Sequence, residues 1–158
     1  MNLKTIISSM LLLLSLIGRA QKTETPVLIN LKNGQSIDAV HFGQLKCGTD
    51  SYSTDYILIR GKYMDSVTEI KDYGDIEKIV LEGYKEGPIA SVGNEKGTLR
   101  IFKKNGVSVT LTEAEITMSC YGVGDLYNTV IVKMINPLTN QAVEQTIETR
   151  NIQSIIFK

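Results

Sequence analysis

An all-β fold is predicted for the chain beyond residue 20, and three observations predict it. Apolar residues recur at every second position, as in Val107, Val109, Leu111 and then Ala114, Ile116, Met118, Cys120, and not at the spacing of three and four that marks an amphipathic helix. Asn33-Gly34 and Asn105-Gly106 stand between apolar runs, which is the strongest short-range hairpin signal, since a type I′ turn needs positive φ at both central residues. Runs rich in β-branched residues follow at 55–60 (DYILIR), 77–82 (EKIVLE), 128–135 (NTVIVKMI) and 153–158 (QSIIFK).

The first residues carry a targeting pattern. Lys4 supplies a positive head, Ile6 to Ile17 a hydrophobic stretch, and Gly18-Arg19-Ala20 a small-residue cleavage site. The stretch is twelve residues long, where a spanning helix needs about 20. A signal peptide over 1–20, cleaved after Ala20, is therefore expected, and with it export to the periplasm or medium and no membrane span afterwards. A lipoprotein needs a cysteine at the cleavage point, and the first cysteine is Cys47.

Charge excludes one class of partner. The leader holds Lys4 and Arg19 and no acid, so the 17 basic side chains of the whole chain fall to 15 against 17 acids. Nucleic-acid binding draws its affinity from a basic stripe that neutralises phosphates. No run here is strongly basic, so nucleic acid is not an expected partner.

The turns divide the rest of the chain. Hairpins are expected at the two Asn-Gly pairs, at 61–66 (GKYMDS) and at 136–141 (NPLTNQ), and the phase change near Thr112-Glu113 reads as a bulge or bend in one long strand. The stretch 83–97 is richer in glycine, includes Pro88 and interrupts the strand pattern. It reads as a connector between two similar halves, 21–82 and 98–158. Asn33-Gly34 maps to Asn105-Gly106 at a spacing of 72, Ile57 to Ile59 onto Val130 to Val132 at 73, and Ile76 and Ile79 onto Ile152 and Ile155 at 76. The drift falls at the bend and at the NPLTNQ hairpin, where a duplicated fold tolerates insertions.

Lys32-Asn33-Gly34 with Asp75-Ile76-Glu77-Lys78-Ile79, and Lys104-Asn105-Gly106 with Asn151-Ile152-Gln153-Ser154-Ile155, resemble the first hairpin and closing strand of Src-homology-three-like and Sm-like small barrels. The resemblance implies two tandem five-stranded barrel-like repeats serving as a binding or scaffolding module, and it carries no catalytic residues. Packing the two units together extends a core that one such small unit supplies poorly. Separate barrels and one merged barrel or sandwich are both compatible with this pattern of strands and turns. A merged barrel would also allow a small ligand to be carried inside.

Catalytic and metal patterns are sparse. His41, the only histidine, lies six residues from Cys47, and a histidine can activate a thiol. A small envelope enzyme, or an enzyme's accessory domain, using Cys47 with His41 is the alternative reading. Six residues along a strand span about 20 Å, so contact needs a tight reversal. Cys47 and Cys120 fall on equivalent places of the two halves, either paired as export permits or packed as small hydrophobes. No C-x-x-C or H-x-x-x-H suggests zinc, and 72–77 (DYGDIE) gathers three carboxylates without the twelve-residue calcium loop. No cofactor is implied.

Surface recognition remains. The loops 48–56 and 121–127 combine glycine and aspartate with tyrosine, a residue favoured at interfaces. By the barrel resemblance, Tyr52, Tyr56, Tyr121 and Tyr127 are the candidate binding residues. The expected partner is a protein, a peptide or another envelope component, met through loops or through open strand edges.

Overall fold

The computed structural model describes residues 25–42, 56–83, 96–120, 124–127 and 129–158. The expected signal peptide, Cys47, Tyr52, Tyr121 and most of the connector lie outside them. In chain order the strands are β1 (Val27–Leu31), β2 (Ser36–His41), β3 (Tyr56–Tyr63), β4 (Ser66–Ile70), β5 (Ile76–Glu82), β6 (Gly97–Lys103), β7 (Ser108–Cys120), β8 (Gly124–Tyr127), β9 (Thr129–Ile135), β10 (Ala142–Glu148) and β11 (Ile152–Phe157). One 3-10 turn, Thr149–Asn151, precedes β11. The all-β expectation holds, and the runs picked out by alternation are strands.

Both Lys-Asn-Gly loops build the same hairpin. The Gly34 N–H donates to the Leu31 carbonyl at 3.0 Å and the Leu31 N–H to the Gln35 carbonyl at 2.8 Å; Gly106 with Lys103, and Lys103 with Val107, repeat this at 2.9 and 2.8 Å. Asn33 Oδ1 accepts the Gln35 N–H, and Asn105 Oδ1 accepts the Val107 N–H. Only the glycines have positive φ, +86° and +84°. The loops are thus three-residue hairpins, a type I turn closed by a left-handed glycine, and not the two-residue type I′ turns expected from the Asn-Gly pairs. The type I′ turn occurs instead between β3 and β4, where Met64 and Asp65 have φ of 48° and 63°.

Pairing joins every strand into one open antiparallel sheet in the order β10, β9, β2, β1, β11, β5, β6, β7, β3, β4, with β8 added against β7. The strands of 27–82 and 97–157 interleave and do not segregate into two sheets. β1 pairs with β11, with Ile29 opposite Ile155; β2 pairs with β9; and β7 pairs with β3. The order reads the same from either end when β1, β2, β3, β4 and β5 are exchanged for β6, β7, β9, β10 and β11. Reciprocal backbone bonds follow this pattern. Lys32 donates its N–H to the Asn151 carbonyl, and Lys104 donates its N–H to the Asp75 carbonyl, both at 2.9 Å.

The inward faces meet in a single core. Val27, Ile29, Ile57, Ile59, Ile79, Ile101, Leu111, Ile116, Val130, Val132, Ile152 and Ile155 belong to one buried cluster. β7 touches β9, which stands well away from it along the sheet order. The sheet therefore curls around its own apolar face.

The curl is sharpest in β7. Its first part pairs with β6 as far as Ala114, and its second part pairs with β3 from Thr112 onward, with the register shifting between Thr112 and Glu115. Glu113, at φ +47°, makes the bulge between them, where the sequence alternation changes phase. At this corner β3 crosses very close to β7 and carries Gly61. A Cβ on Gly61 would lie 2.9 Å from the Cβ atoms of both Leu111 and Ala114. Gly61→Ala is expected to destabilise the fold by about 1–3 kcal/mol through overpacking, read as a lowered urea midpoint with unchanged slope, and adding Ala114→Gly should restore part of the loss.

Candidate functional site

The free edge of β4 borders an open groove of about 650 Å³, within the range of roughly 300–1,000 Å³ typical of ligand sites. Its floor is Ile76 of β5, Ile101 of β6, and Val109 and Leu111 of β7. Thr68 and Ile70 of β4 form one wall, and Tyr63, Glu69, Lys71, Asp72, Asp75 and Lys103 stand around the rim.

Local chain geometry sets what β4 offers. The two-residue turn at Met64-Asp65 makes Tyr63 and Ser66 a hydrogen-bonded pair, and pairs then alternate along the hairpin. The backbone groups of Ser66, Thr68 and Ile70 therefore face β3, while those of Val67 and Glu69 face outward, where β4 has no neighbouring strand among the described residues. Side chains alternate as well, so Thr68 and Ile70 turn to the groove and Val67 and Glu69 away from it. Among the described residues, the exposed large apolar side chains gather on the two edge hairpins. Tyr63, Met64 (81%) and Val67 (67%) lie on β3–β4, and Ile135, Leu138 (93%) and Val143 on β9–β10, with Val107 at a hairpin tip as the exception.

The rim is charged and internally paired. Arg60 Nε and Nη2 donate to Glu69 Oε1 at 2.9 and 2.6 Å, and the Arg60 hydrogen bond holds the Glu69 carboxyl below its ordinary range. Lys71 Nζ reaches Glu69 Oε2 at 3.6 Å. Lys103 Nζ donates to Asp75 at 2.7 Å, and that bond lowers the Asp75 pKa. Asp72 turns back on its own corner, its Oδ1 accepting the Gly74 N–H at 2.9 Å. Across the other edge of β3 and on the same face, Arg60 also lies 4.0 Å from Oε1 of Glu115, whose Oε2 is buried with no hydrogen-bond partner among the described residues.

Tyr73 anchors the corner that forms this rim. Its ring meets Phe42 edge-on at 5.3 Å and stacks on Phe157 at 5.4 Å, and Phe42 meets Phe157 edge-on at 5.6 Å. Each such aromatic pair adds about 0.5–1.5 kcal/mol beyond area burial. The Tyr73 hydroxyl donates to the Ile57 carbonyl. The trio ties the end of β2, the end of β11 and the β4–β5 corner together.

The residues singled out in the sequence fall elsewhere. Tyr56 opens β3 opposite Ser119, and Tyr127 closes β8 opposite Thr117, so their backbones flank the same stretch of β7. Tyr52 and Tyr121 lie outside the described residues. His41 Nδ1 accepts the Thr25 N–H at 3.3 Å, and Cys120 ends β7 opposite Gly124. Cys47, which the alternative reading needs beside His41, is outside the described residues. The three carboxylates of 72–77 are dispersed by the corner, and among the described residues no cluster of three metal-ligating side chains occurs. No described helix is long and apolar enough to cross a membrane.

The groove was missed because its residues come from four strands. Its visible trace in the sequence was the apolar tip, Tyr63, Met64 and Val67, at the hairpin expected over 61–66. No family model, curated protein or solved structure matches the chain.

Burial pushes the Tyr73 phenol well above its ordinary pKa. With the folded value raised, its contribution to stability is complete below the unfolded pKa near 10 and is lost as pH rises beyond it. Tyr73→Phe keeps the rings but strips the partner from the Ile57 carbonyl. It is expected to cost about 1–2 kcal/mol at pH 7 and to flatten the loss of stability above about pH 10, measured by urea titration across pH.

Proposed function

We propose that the mature chain is an exported, non-catalytic binding or scaffolding module of the cell envelope, and that it takes an extended polypeptide partner along the free edge of β4. The observation that carries this reading is the groove itself, which runs beside the unpaired edge of β4 and is lined by the part-exposed Tyr63, Thr68, Ile70 and Val109 above buried Ile76, Ile101 and Leu111. An added strand would bond to the outward backbone groups of Val67 and Glu69, and its alternate side chains would turn into the groove. The apolar tip of the same hairpin extends the contact surface. Export rests on the leader pattern at residues 1–20.

The fold is read as a strand-exchanged duplication. Each five-stranded unit takes its first two strands from one copy and its last three from the other. The matched Lys-Asn-Gly hairpins, the reciprocal bonds of Lys32 and Lys104, and the symmetric strand order support this.

Val67→Pro removes one outward N–H without touching the bonds to β3, a substitution that edge strands accommodate. Peptides selected from a random eight-residue display library on the mature chain are expected to shift the amide resonances of Val67 and Glu69, and to bind Val67→Pro about tenfold more weakly. Selection of no peptide, or of peptides that shift resonances remote from β4, contradicts the reading.

A further inference from the structure

The free edge of β4 can pair with a copy of itself, and the charges along it choose the register. Among the described residues β4 turns the backbone groups of Val67 and Glu69 outward, so an antiparallel partner must set its own outward residues opposite these. Two copies of β4 related by a two-fold axis have few such registers. With Val67 opposite Val67 of the second copy, Asp65 falls opposite Glu69 on both sides of the axis, acid against acid. With Glu69 opposite Glu69, two carboxylates meet at the axis itself. With Val67 opposite Glu69, Thr68 meets Thr68 at the axis and Asp65 meets Lys71 just past each end of the ladder. This last register alone opposes no like charges, and each of its Val67–Glu69 pairs exchanges both backbone bonds.

We infer that the chain forms a two-fold dimer through β4, in which Val67 of each copy bonds to Glu69 of the other and Asp65 of each faces Lys71 of the other. This rests on the strand capture proposed above and names the occupant as a second copy. Asp65 and Lys71 are both exposed. The Lys71 ammonium lies 3.6 Å from Glu69 Oε2, beyond ordinary hydrogen-bond length, and an ammonium carries three donors. Asp65 of the second copy therefore adds to that contact without displacing it. The apolar tip gains cover in the same register. Val67, 67% exposed, comes to lie diagonally across the axis from its own copy, within reach of a side-chain contact. A two-fold contact of this kind closes at two copies. β10, the equivalent edge, carries Glu144 and Glu148 and no basic residue, so no register of β10 on itself opposes unlike charges.

The test is sedimentation of residues 21–158 from micromolar to millimolar concentration, with the amide shifts of Val67 and Glu69 on dilution marking the place of contact. Lys71→Glu sets acid against acid at both ends of the ladder, and Asp65→Lys sets base against base. Each variant alone is expected to dimerise about tenfold more weakly than the parent chain. Mixed in equal amounts, the two variants oppose unlike charges at both ends again, and the mixture is expected to return to within about threefold of the parent affinity. Melting temperatures of the separate variants report that both are folded. A parent chain that stays monomeric at millimolar concentration overturns the dimer; strand capture then stands if selected peptides still shift Val67 and Glu69, and falls if none does. Dilution shifts confined to residues away from β4, growth beyond two copies, or a mixture that associates no better than either variant also overturns the dimer.

Discussion

The antiparallel pairing of β5 with β11 is the constraint on which the rest of the sheet depends. Ile79 stands directly opposite Ile155, and both are fully buried. A strand has two edges. Once β5 and β11 spend one edge on each other, β5 has its second edge for β6 and β11 has its second for β1, so each closing strand receives the opening strand of the other half. The hairpins then carry β2 to β9 and β7 to β3. One core results because no strand set from a single half can close on itself.

Alternation made the strands legible because a period of two reports directly which side chains face the core. The bend in β7 was legible for the same reason. Inserting Glu113 at positive φ moves the following apolar residues to the other parity, and the sequence shows that shift. The Asn-Gly turns were located correctly, yet their type was not, because it depends on which residues close the loop. Leu31 bonds to Gln35, three residues intervene, and only the glycine needs the left-handed region. Strand order could not be read. β5 and β11 present similar apolar alternation to β1, so periodicity does not choose between a partner in the same half and one in the other. Nor was the groove readable, since β4 becomes an edge only once the whole order is known.

The two ends of that order also differ in length. β4 and β10 occupy equivalent ends of the sheet, but β10 is longer and spends its extra length on Ile147, which completes its own side of the core. β4 stops at Ile70, and the chain turns through Asp72, Tyr73 and Gly74 into β5. Tyr73 fixes that turn by burying its ring between Phe42 and Phe157 and its hydroxyl on Ile57. The corner is therefore fixed by an aromatic anchor beneath it, with its charges paired along the rim.

Interstrand proton–proton NOEs in residues 21–158 test the exchange of strands most directly. The account predicts cross-strand contacts of Leu28 with Ile156 and of Ala39 with Met134, the partners of β1 and β2. Contacts from β1 to residues 76–82 and from β2 to residues 56–63 in their place would contradict it, because each half would then be closing on its own strands.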